Sequence, residues 1–386
     1  MNILRQKIDH LSTSNIGNYD KNFSNELSLK IGANDSSIRK ALIRLVHLYE
    51  KTGFLYEEKK SRIFPYMELI LDNWQSALKM EGQLFNIVKF EGKSPTKEKL
   101  TSISYWRTTY NSWIAQHLVS TSFPIGVCAM MLRVQAEANF EKQRYKSFQN
   151  WFSKSNQYAN LVFGTLVKTI GNKYSNVSLY SYLGVNQTCH KSSSLITIVP
   201  YKNDMGKSLY QLYCRVRNTI DADAEEINSS DVELEELDQI FQKVGLRRKR
   251  FIWLAFQNKI SEPVGAVIAN RAPFGMNLSL LENRCDLLID NSLTLDIREI
   301  VCHNLLSEAS KVYIDSNLNL EYPVSFIPVL TDSVSSKILT SSGAHFFREY
   351  NKSIWMKEAF EDWYRHIQKT YESFLYKTKK EKSIYE

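Results

Sequence analysis

One pattern occurs twice in this sequence, with about 170 residues between its two copies. In each copy a stretch that alternates between apolar and polar residues ends in Asn-Asp and continues into a stretch with helical spacing. The first copy spans residues 27–49 with Asp35 at the junction, and the second spans residues 195–213 with Asp204 there. An aspartate at this position accepts hydrogen bonds from the free amides of a helix's first turn. A strand, a cap and a helix that recur in this way predict two units of the same fold in tandem.

The elements that follow each copy come in the same order, which is a helix, three strands, a helical stretch and a closing strand. In the first unit we predict them at residues 64–80, 84–90, 100–110, 112–119, 125–149 with 158–170, and 177–183. In the second unit we predict them at residues 231–244, 251–256, 263–270, 284–290, 296–316 and 324–330. This alternation predicts an α/β (α+β) fold in which each unit is a mixed, mostly antiparallel sheet flanked by helices.

The length of the chain agrees with two units. A single hydrophobic core stops growing near roughly 250–300 residues, and this chain has 386. We expect an N-terminal arm at residues 1–24, a first unit at 25–190, a second unit at 191–356, and a C-terminal helix with a basic tail at 357–386.

Composition and charge restrict the partners only slightly. The 49 Lys and Arg against 41 Asp and Glu give a net charge of +8, which permits nucleic acid without requiring it. No stretch approaches the roughly 18 uninterrupted apolar residues of a membrane span. The first ten residues lack the apolar core of a signal peptide, so we expect a cytoplasmic protein. The five cysteines lie far apart without a C-x-x-C pair, and we expect no metal.

Two oppositely charged stretches lie close together in the second unit. Residues 221–238 hold nine acids and no base, and residues 247–250 are Arg-Arg-Lys-Arg. Acids at a helix start and bases at a strand edge are usually solvated. We therefore expect both stretches at the surface, with anion binding as the alternative for the basic one.

Three stretches of the second unit resemble the GNAT acyltransferase superfamily. Residues 195–204 are similar to its first strand and first helix, and Pro263-Val-Gly265 before an apolar strand is similar to the strand that passes its acceptor site. Residues 324–350 are similar to its closing strand, helix and strand, in which Gly343 precedes an aromatic pair. The resemblance covers about 160 residues of the second unit and the order of elements in the first. It implies two GNAT-like units and the activity of an N-acyltransferase.

The resemblance also implies a site. We expect an acceptor cleft between residues 263–270 and 284–290, with a small-molecule or peptide amine as substrate. Transfer to an amine needs a base and an acid, for which the candidates are Glu262, Tyr350 and, as a polar residue inside a strand of the first unit, His117. The candidates for binding substrate or cofactor are Asn270, Arg271, Asp290 and Asn291. An open cleft favours catalysis, and a cleft filled by side chains such as Phe274 or Leu293 argues against it.

The sequence departs from the superfamily where the acyl donor is expected to bind. Members that use acetyl-CoA carry a glycine-rich turn whose backbone amides approach the pyrophosphate. Here residues 291–298 contain no glycine, and Asp290 and Asp296 repel phosphate. In the first unit, residues 120–126 contain one glycine and one proline. We therefore predict that acetyl-CoA does not bind in the usual way, and that the donor, if there is one, is another acyl-CoA or a carrier-linked acyl group.

Two alternatives remain open. The first is a catalytically inactive GNAT-like protein that binds or regulates. The second is a DNA-binding regulator with a helix-turn-helix at residues 25–66, in which residues 32–34 form the turn, 36–49 the recognition helix and 54–66 a wing. The residues that would then face DNA are Ser36, Arg39 and Lys40.

Overall fold

The computed structural model describes residues 35–80, 83–93, 98–121, 126–128, 130, 131, 134, 145–186, 188, 190, 191, 193–258 and 260–385. The predicted arm at 1–24, the predicted strand at 27–31 and the turn at 32–34 lie outside these residues.

Among the described residues, the main elements of the first half are three helices, four strands, a short helix and a fifth strand. They are α1 (Asp35–Lys51), α2 (Glu57–Ile63), α3 (Met67–Leu78), β1 (Phe85–Lys93), β2 (Glu98–Arg107), β3 (Ser112–Ser120), β4 (Ser147–Ser153), α4 (Leu166–Ile170) and β5 (Ser175–Val185). The stretch from 54 to 66 is a wing in the DNA-binding alternative, but its residues 57–66 are helical and form α2 and a 3-10 turn. The prediction of a wing at these residues is therefore wrong.

The second half follows the predicted order throughout. Its elements are β6 (Ile196–Pro200), α5 (Gly206–Val216), α6 (Thr219–Ala224), α7 (Glu235–Gln242), β7 (Lys249–Gln257), β8 (Pro263–Arg271), β9 (Cys285–Ile289), α8 (Leu295–Ile314), β10 (Ile327–Thr331), α9 (Ser333–Ser341), β11 (His345–Met356) and α10 (Phe360–Tyr385). The predicted fold class is confirmed.

One predicted helix in the first half is partly wrong. The prediction makes residues 125–149 helical, but β4 begins at Ser147 and pairs with β3 and β11. Nearly every residue of β4 is buried, because both faces of the strand are covered. A strand covered on both faces lacks the alternation by which a strand is recognised from sequence.

The two halves share one sheet and exchange their closing strands. Among the described residues the sheet has eleven strands, in the order β1-β2-β3-β4-β11-β5-β10-β9-β8-β7-β6. Strand β5 of the first half lies between β10 and β11 of the second half, and β11 lies between β4 and β5. Each half thus completes its sheet with a strand from the other. The predicted unit boundaries at 25–190 and 191–356 stay predictions.

Two pairs of neighbouring strands in this sheet are parallel. Strands β3 and β4 pair from Ser112 with Ser147 to Ile114 with Gln149, and β9 and β10 pair only through Cys285 with Val329 and Asp286 with Leu330. Beyond these short ladders the strands separate toward their carboxyl ends. Ligands of mixed and parallel sheets bind at such ends, so a site is expected at these two places. We call the gap between β3 and β4 the first opening and the gap between β9 and β10 the second opening.

Helices cover both faces of the sheet. Helices α1 to α3 pack on one face of the first half, and α10 covers the other, where Trp363 stacks on Trp355 with ring centroids 4.3 Å apart. The aromatic tail helix is thus docked by its apolar side. Within the described part of the chain, none of the helices has the length and apolar character to cross a membrane.

Candidate functional site

The first opening is bridged by a glutamine side chain. Gln116 on β3 donates from Nε2 to the backbone carbonyl of Trp151 at 2.8 Å and to Oδ1 of Asn150 at 3.3 Å, both on β4. Its Oε1 accepts a hydrogen bond from Asn277 at 3.2 Å. The amide therefore occupies the space between the separating strands.

His117 lies in a bulge of β3 beside this bridge, and its φ of 55° is in the left-handed region. Its Nε2 accepts the backbone N–H of Leu278 at 3.1 Å, which leaves the ring proton on Nδ1, a buried atom without a hydrogen-bond partner among the described residues. Burial, and then the charge of Lys59, lower the pKa of His117 well below its usual value. The lone pair that a general base would use is already engaged.

A loop of the second half covers the same opening. Residues 272–284, between β8 and β9, are buried along their whole length. Trp74 Nε1 on α3 donates to the carbonyl of Gly275 at 2.9 Å, and the Tyr182 hydroxyl donates to the carbonyl of Ser279 at 2.8 Å. This 272–284 loop is part of the core of the first half.

The second opening is also bridged. The Leu287 carbonyl on β9 accepts from Thr331 Oγ1 on β10 and from Arg217, each at 3.3 Å. Arg298 on α8 is 2% exposed and links the strand ends, since it donates to the Asp290 carbonyl at 3.1 Å and to Asp332 Oδ1 at 3.0 Å. Its contacts clamp the end of β9 to the residue that follows β10.

The acceptor cleft expected between residues 263–270 and 284–290 is absent. Strands β8 and β9, both within the described residues, form an antiparallel ladder from Gly265 with Ile289 to Ala269 with Cys285. Phe274, proposed as a filler of that cleft, lies in the 272–284 loop, where its carbonyl accepts from Asn73 at 3.0 Å. The prediction of a cleft at this place is therefore wrong, because hydrogen-bonded strands leave no room between them.

The four predicted binding residues lie at two ends of β8. Asn270 is buried and contacts Arg250 and Asp286. Arg271 donates to the carbonyls of Val312 and Leu320, and burial lowers its pKa. Asp290 and Asn291 lie at the other end, where Asp290 pairs with Arg215 at 2.7 Å and Asn291 accepts from Arg298 at 3.0 Å. The length of the strand separates the two ends by about 25 Å. One site cannot use all four.

The predicted catalytic residues are also separated. Glu262 is exposed and precedes β8, in the second half. Tyr350 lies on β11, where its ring contacts that of Tyr182 with centroids 5.5 Å apart. It shares the core cluster beneath α1 to α3 with the rings around His117. The structure brings Tyr350 and His117 to one face and leaves Glu262 apart, and the roles of all three stay predictions.

The DNA-binding alternative places three residues on α1. Arg39 pairs with Glu68 and Asp72 of α3, which neutralise it and add negative charge beside it. Ser36 lies in the first turn of the helix, and Lys40 is exposed. Of these three residues, Lys40 alone offers an uncompensated charge to phosphate, and DNA binding stays a prediction.

The two charged stretches of the second unit meet partly in the interior, which contradicts the predicted exposure of the buried members, Asp221, Glu225, Glu226, Asp238, Arg248 and Arg250. Lys352 Nζ lies 2.6 Å from both Asp221 and Glu225, and Arg250 and Arg284 each lie 2.9 Å from Glu225. Three bases and three acids form this buried ion network, which consists of Asp221, Glu225, Arg250, Arg284, Asp286 and Lys352, and the buried pair of Arg248 with Glu282 lies beside it. Equal numbers of opposite charges in contact identify it as a structural network of the second half.

A large cavity lies away from both openings, beside the end of α8 and the start of β10. It encloses about 840 Å³ and is lined by the rings of Tyr313, Tyr322 and Phe326 and by the carboxylates of Asp315 and Glu321. The hydroxyls of both tyrosines are engaged, Tyr313 with the Asn283 carbonyl and Tyr322 with the Phe326 carbonyl, each at 2.8 Å. The rings of Tyr313 and Tyr322 also lie against the guanidinium of Arg271, with centroids 5.0 and 5.2 Å from it. The acidic residues Asp315 and Glu321 are therefore the charged groups that the cavity offers a ligand. Sequence analysis missed it because residues 315–326 carry no motif.

The cysteine spacing predicts no metal site. In the described ranges, no three His, Cys, Asp or Glu side chains are grouped so as to hold an ion.

Comparison with known proteins finds similarity among solved structures only. No protein-family profile and no curated protein matches the chain. A tandem GNAT protein from the clavulanic acid biosynthesis pathway, solved without AcCoA, is similar over 84% of this chain and 97% of its own, at 9% identity and a TM-score of 0.42. A putative acetyltransferase from Pyrococcus horikoshii is similar over 84% and 88%, at 8% identity and a TM-score of 0.37. A functionally unknown conserved protein from Staphylococcus epidermidis is similar over 64% and 84%, at 10% identity and a TM-score of 0.37.

The second half contains the order of elements from which the resemblance was drawn. In the first half the predicted strand at 27–31 lies outside the described residues and β4 stands in part of a predicted helix, and exchanged strands join the two sheets. The chain has a mixed α/β fold whose two halves share one sheet.

Proposed function

We propose that this protein binds an amine-bearing small molecule or peptide in the 840 Å³ cavity and does not acylate it through either opening. The observation that carries the proposal is the charge of the cavity. Asp315 and Glu321 line it, and no Lys or Arg is among its described lining residues. In this proposal the amine substrate of the predicted N-acyltransferase reaction is a ligand, and no acyl group is transferred to it.

The size and lining of the cavity support a small ligand. Pockets for small molecules measure about 300–1,000 Å³ and combine apolar walls with a few polar groups. The guanidinium of Arg271 already lies over the rings of Tyr313 and Tyr322, 5.0 and 5.2 Å from their centroids. The exposed residues Asp315 and Glu321 are therefore the groups of the lining that would hold a protonated amine.

The bridged openings support binding without transfer. A donor that runs between separating strands needs free backbone groups there, and the Leu287 and Trp151 carbonyls already accept hydrogen bonds from side chains. The glycine-free turn after β9 is held by Arg298. A donor would have to displace these buried contacts.

We predict that acetyl-CoA does not bind at micromolar concentration. The reason is the clamp of Arg298 on the second opening together with the carboxylates at the turn. Titration calorimetry with acetyl-CoA should show no saturable heat, and a long-chain acyl-CoA should be titrated beside it. Saturable micromolar binding of acetyl-CoA that is weakened in Arg217→Ala would place a donor at the second opening and contradict the proposal.

We predict that 2-phenylethylamine binds at least tenfold more tightly than its neutral counterpart 2-phenylethanol. Hydrogen bonds to a charged group contribute about 1.5–3 kcal/mol, which corresponds to tenfold or more. The double variant Asp315→Asn, Glu321→Gln should bind both compounds equally. Glu308→Gln, which removes a half-buried acid of α8 paired with Lys311, is the matched control and should keep the preference. Equal binding of both compounds to the parent would refute the amine site.

A further inference from the structure

Three cations converge on the outer side of α2 and the start of β11. They are Lys59, Arg62 and Arg348, which together form the Lys59 cluster. The guanidinium of Arg62 lies 4.5 Å from the Phe347 ring centroid, and that of Arg348 lies 4.5 Å from the Tyr56 ring centroid. Aromatic rings thus hold the charges in place from one side.

Lys59 is buried, and no carboxylate of the described residues is in ion-pair contact with it. Lys59 is 4% exposed, and its Nζ lies 3.9 Å from the Phe54 ring centroid and 5.0 Å from that of Tyr56. The free-energy cost of burying an ammonium group is far larger than the stabilisation by an aromatic ring face. A bound group of opposite charge would offset that cost.

Among the described residues, a single carboxylate serves the other two cations. Glu58 Oε2 lies 3.1 Å from Arg348 Nη2, and its Oε1 lies 3.8 Å from Arg62 Nη2. The Glu58 side chain is 44% exposed, so it reaches the guanidinium groups from the solvent side. When Lys59 carries its proton, three cations and one acid leave the cluster with two uncompensated positive charges. The position of Glu58 shows that an oxyanion fits between the guanidinium groups.

Several donors in the cluster point at no acceptor. Arg62 Nη1, Arg348 Nε and the Tyr56 hydroxyl are buried and without hydrogen-bond partners in the described part of the chain. Buried polar groups are nearly always paired, and each exception requires an explanation. Three orphaned donors around one cationic cluster have a common explanation, which is an acceptor bound from outside.

We infer that the Lys59 cluster is a binding site for an oxyanion group of a ligand, a carboxylate or a phosphate, which displaces Glu58 from Arg62 and Arg348. Guanidinium groups bind both kinds of oxyanion through paired hydrogen bonds. This site is separate from the acidic cavity and does not depend on the proposed amine ligand, so either can fail alone.

Sulfate is the first probe, titrated by calorimetry against the full chain with sodium chloride at matched ionic strength. Glu58→Gln should bind sulfate at least threefold more tightly, because it removes the competing carboxylate, and Arg348→Gln at least tenfold more weakly. Arg348→Lys keeps the positive charge and loses the paired N–H donors of the guanidinium group, so its affinity for sulfate should be intermediate. Glu349→Gln and Lys154→Gln remove an exposed ion pair close by and should stay within twofold of the parent. Equal sulfate affinity in the parent, Glu58→Gln and Arg348→Gln would overturn the inference.

Acetate and phosphate identify the oxyanion. Binding of either with the same response to the variants supports the site and names its ligand class. Binding of neither, or binding that Lys154→Gln weakens as much as Arg348→Gln does, would overturn it.

The pH dependence tests Lys59 itself. Burial, and then Arg348 and Arg62, lower the pKa of Lys59 to about 7, against a smaller opposite effect of Glu58. The other titratable groups around it are His117, whose pKa is well below its usual value, Tyr56, whose pKa burial raises to about 12, and Tyr350. Sulfate keeps its charge between about pH 6 and 8.5, so its affinity should fall several-fold as Lys59 loses its proton. Lys59→Arg should abolish the slope, and an unchanged slope in that variant would contradict the role of Lys59.

Discussion

Replacing Glu225 by alanine is expected to lower the free energy of unfolding by about 3–5 kcal/mol, the cost of removing one partner from a buried ion pair. Glu225 is 2% exposed and contacts three cations, with Arg250 and Arg284 each at 2.9 Å and Lys352 at 2.6 Å. Its removal leaves three cations and two acids in the network. The uncompensated charge has no route to solvent, which is why the effect is large.

Urea unfolding of the parent and the variant measures this effect. Glu299→Ala is the matched control, since Glu299 pairs with Lys191 at the surface, with side chains 40% and 37% exposed. Exposed pairs contribute about 0–1 kcal/mol. A Glu225→Ala variant no less stable than Glu299→Ala would mean that the network contributes nothing to folding.

The same variant has an expected signature in acid. Burial alone would raise the pKa of Glu225, but Lys352, Arg284 and Arg250 hold it well below its usual value. A carboxyl with a depressed folded pKa contributes stability above its unfolded pKa of about 4.3, and this contribution is lost as the pH falls. Between about pH 5 and 3, the parent should therefore lose more stability than Glu225→Ala does.

This network also marks the limit of sequence analysis. The nine acids at 221–238 and the bases at 247–250 are each typical of a surface when taken alone. Arg248 and Arg250 are 1% and 2% exposed because their partners lie opposite them in the fold. Only the pairing of the two stretches would have predicted burial, and pairing is a property of the tertiary structure.

The order of elements was predictable because it depends on local periodicity. The exchange of β5 and β11 was not, since it depends on which strands pair. Strand β4 was missed for a related reason, as it is covered on both faces and does not alternate.

The candidate sites divide in the same way. His117 and Gln116 stand out in the sequence because polar residues inside a strand need an explanation, and the explanation is a bridge across the first opening. The cavity and the Lys59 cluster depend on loops and on residues as far as 290 positions apart, such as Glu58 and Arg348. No spacing in the sequence connects them.

Replacing Gly275 by alanine is the second large effect that we expect, a loss of about 2–5 kcal/mol in the free energy of unfolding. Gly275 has a φ of +77°, and a Cβ atom there would clash with Cγ1 of Ile70 on α3. The left-handed backbone costs about 1–2 kcal/mol with a side chain, and overpacking a core adds about 1–3 kcal/mol. Unfolding by urea measures the sum.

Two variants separate these contributions. Gly245 has a φ of +73° with no atom within 4 Å of the place that a Cβ would take, so Gly245→Ala should cost only the backbone part. Ile70→Ala removes all three clashing atoms, so Gly275→Ala should cost about 1–3 kcal/mol less in that background. Equal costs in both backgrounds would show that the clash does not govern the effect.

The position of Gly275 connects this result to the first opening. The 272–284 loop brings Asn277 to Gln116 and Leu278 to His117, and it is anchored on α3 by Trp74. A clash with α3 should therefore loosen the loop as well as the core. We expect faster hydrogen exchange at the Leu278 amide in Gly275→Ala than in Gly245→Ala. Each variant is measured at a urea concentration that lies equally far below its own unfolding midpoint. Unchanged protection of that amide would mean that the bridge across the first opening holds without its anchor on α3.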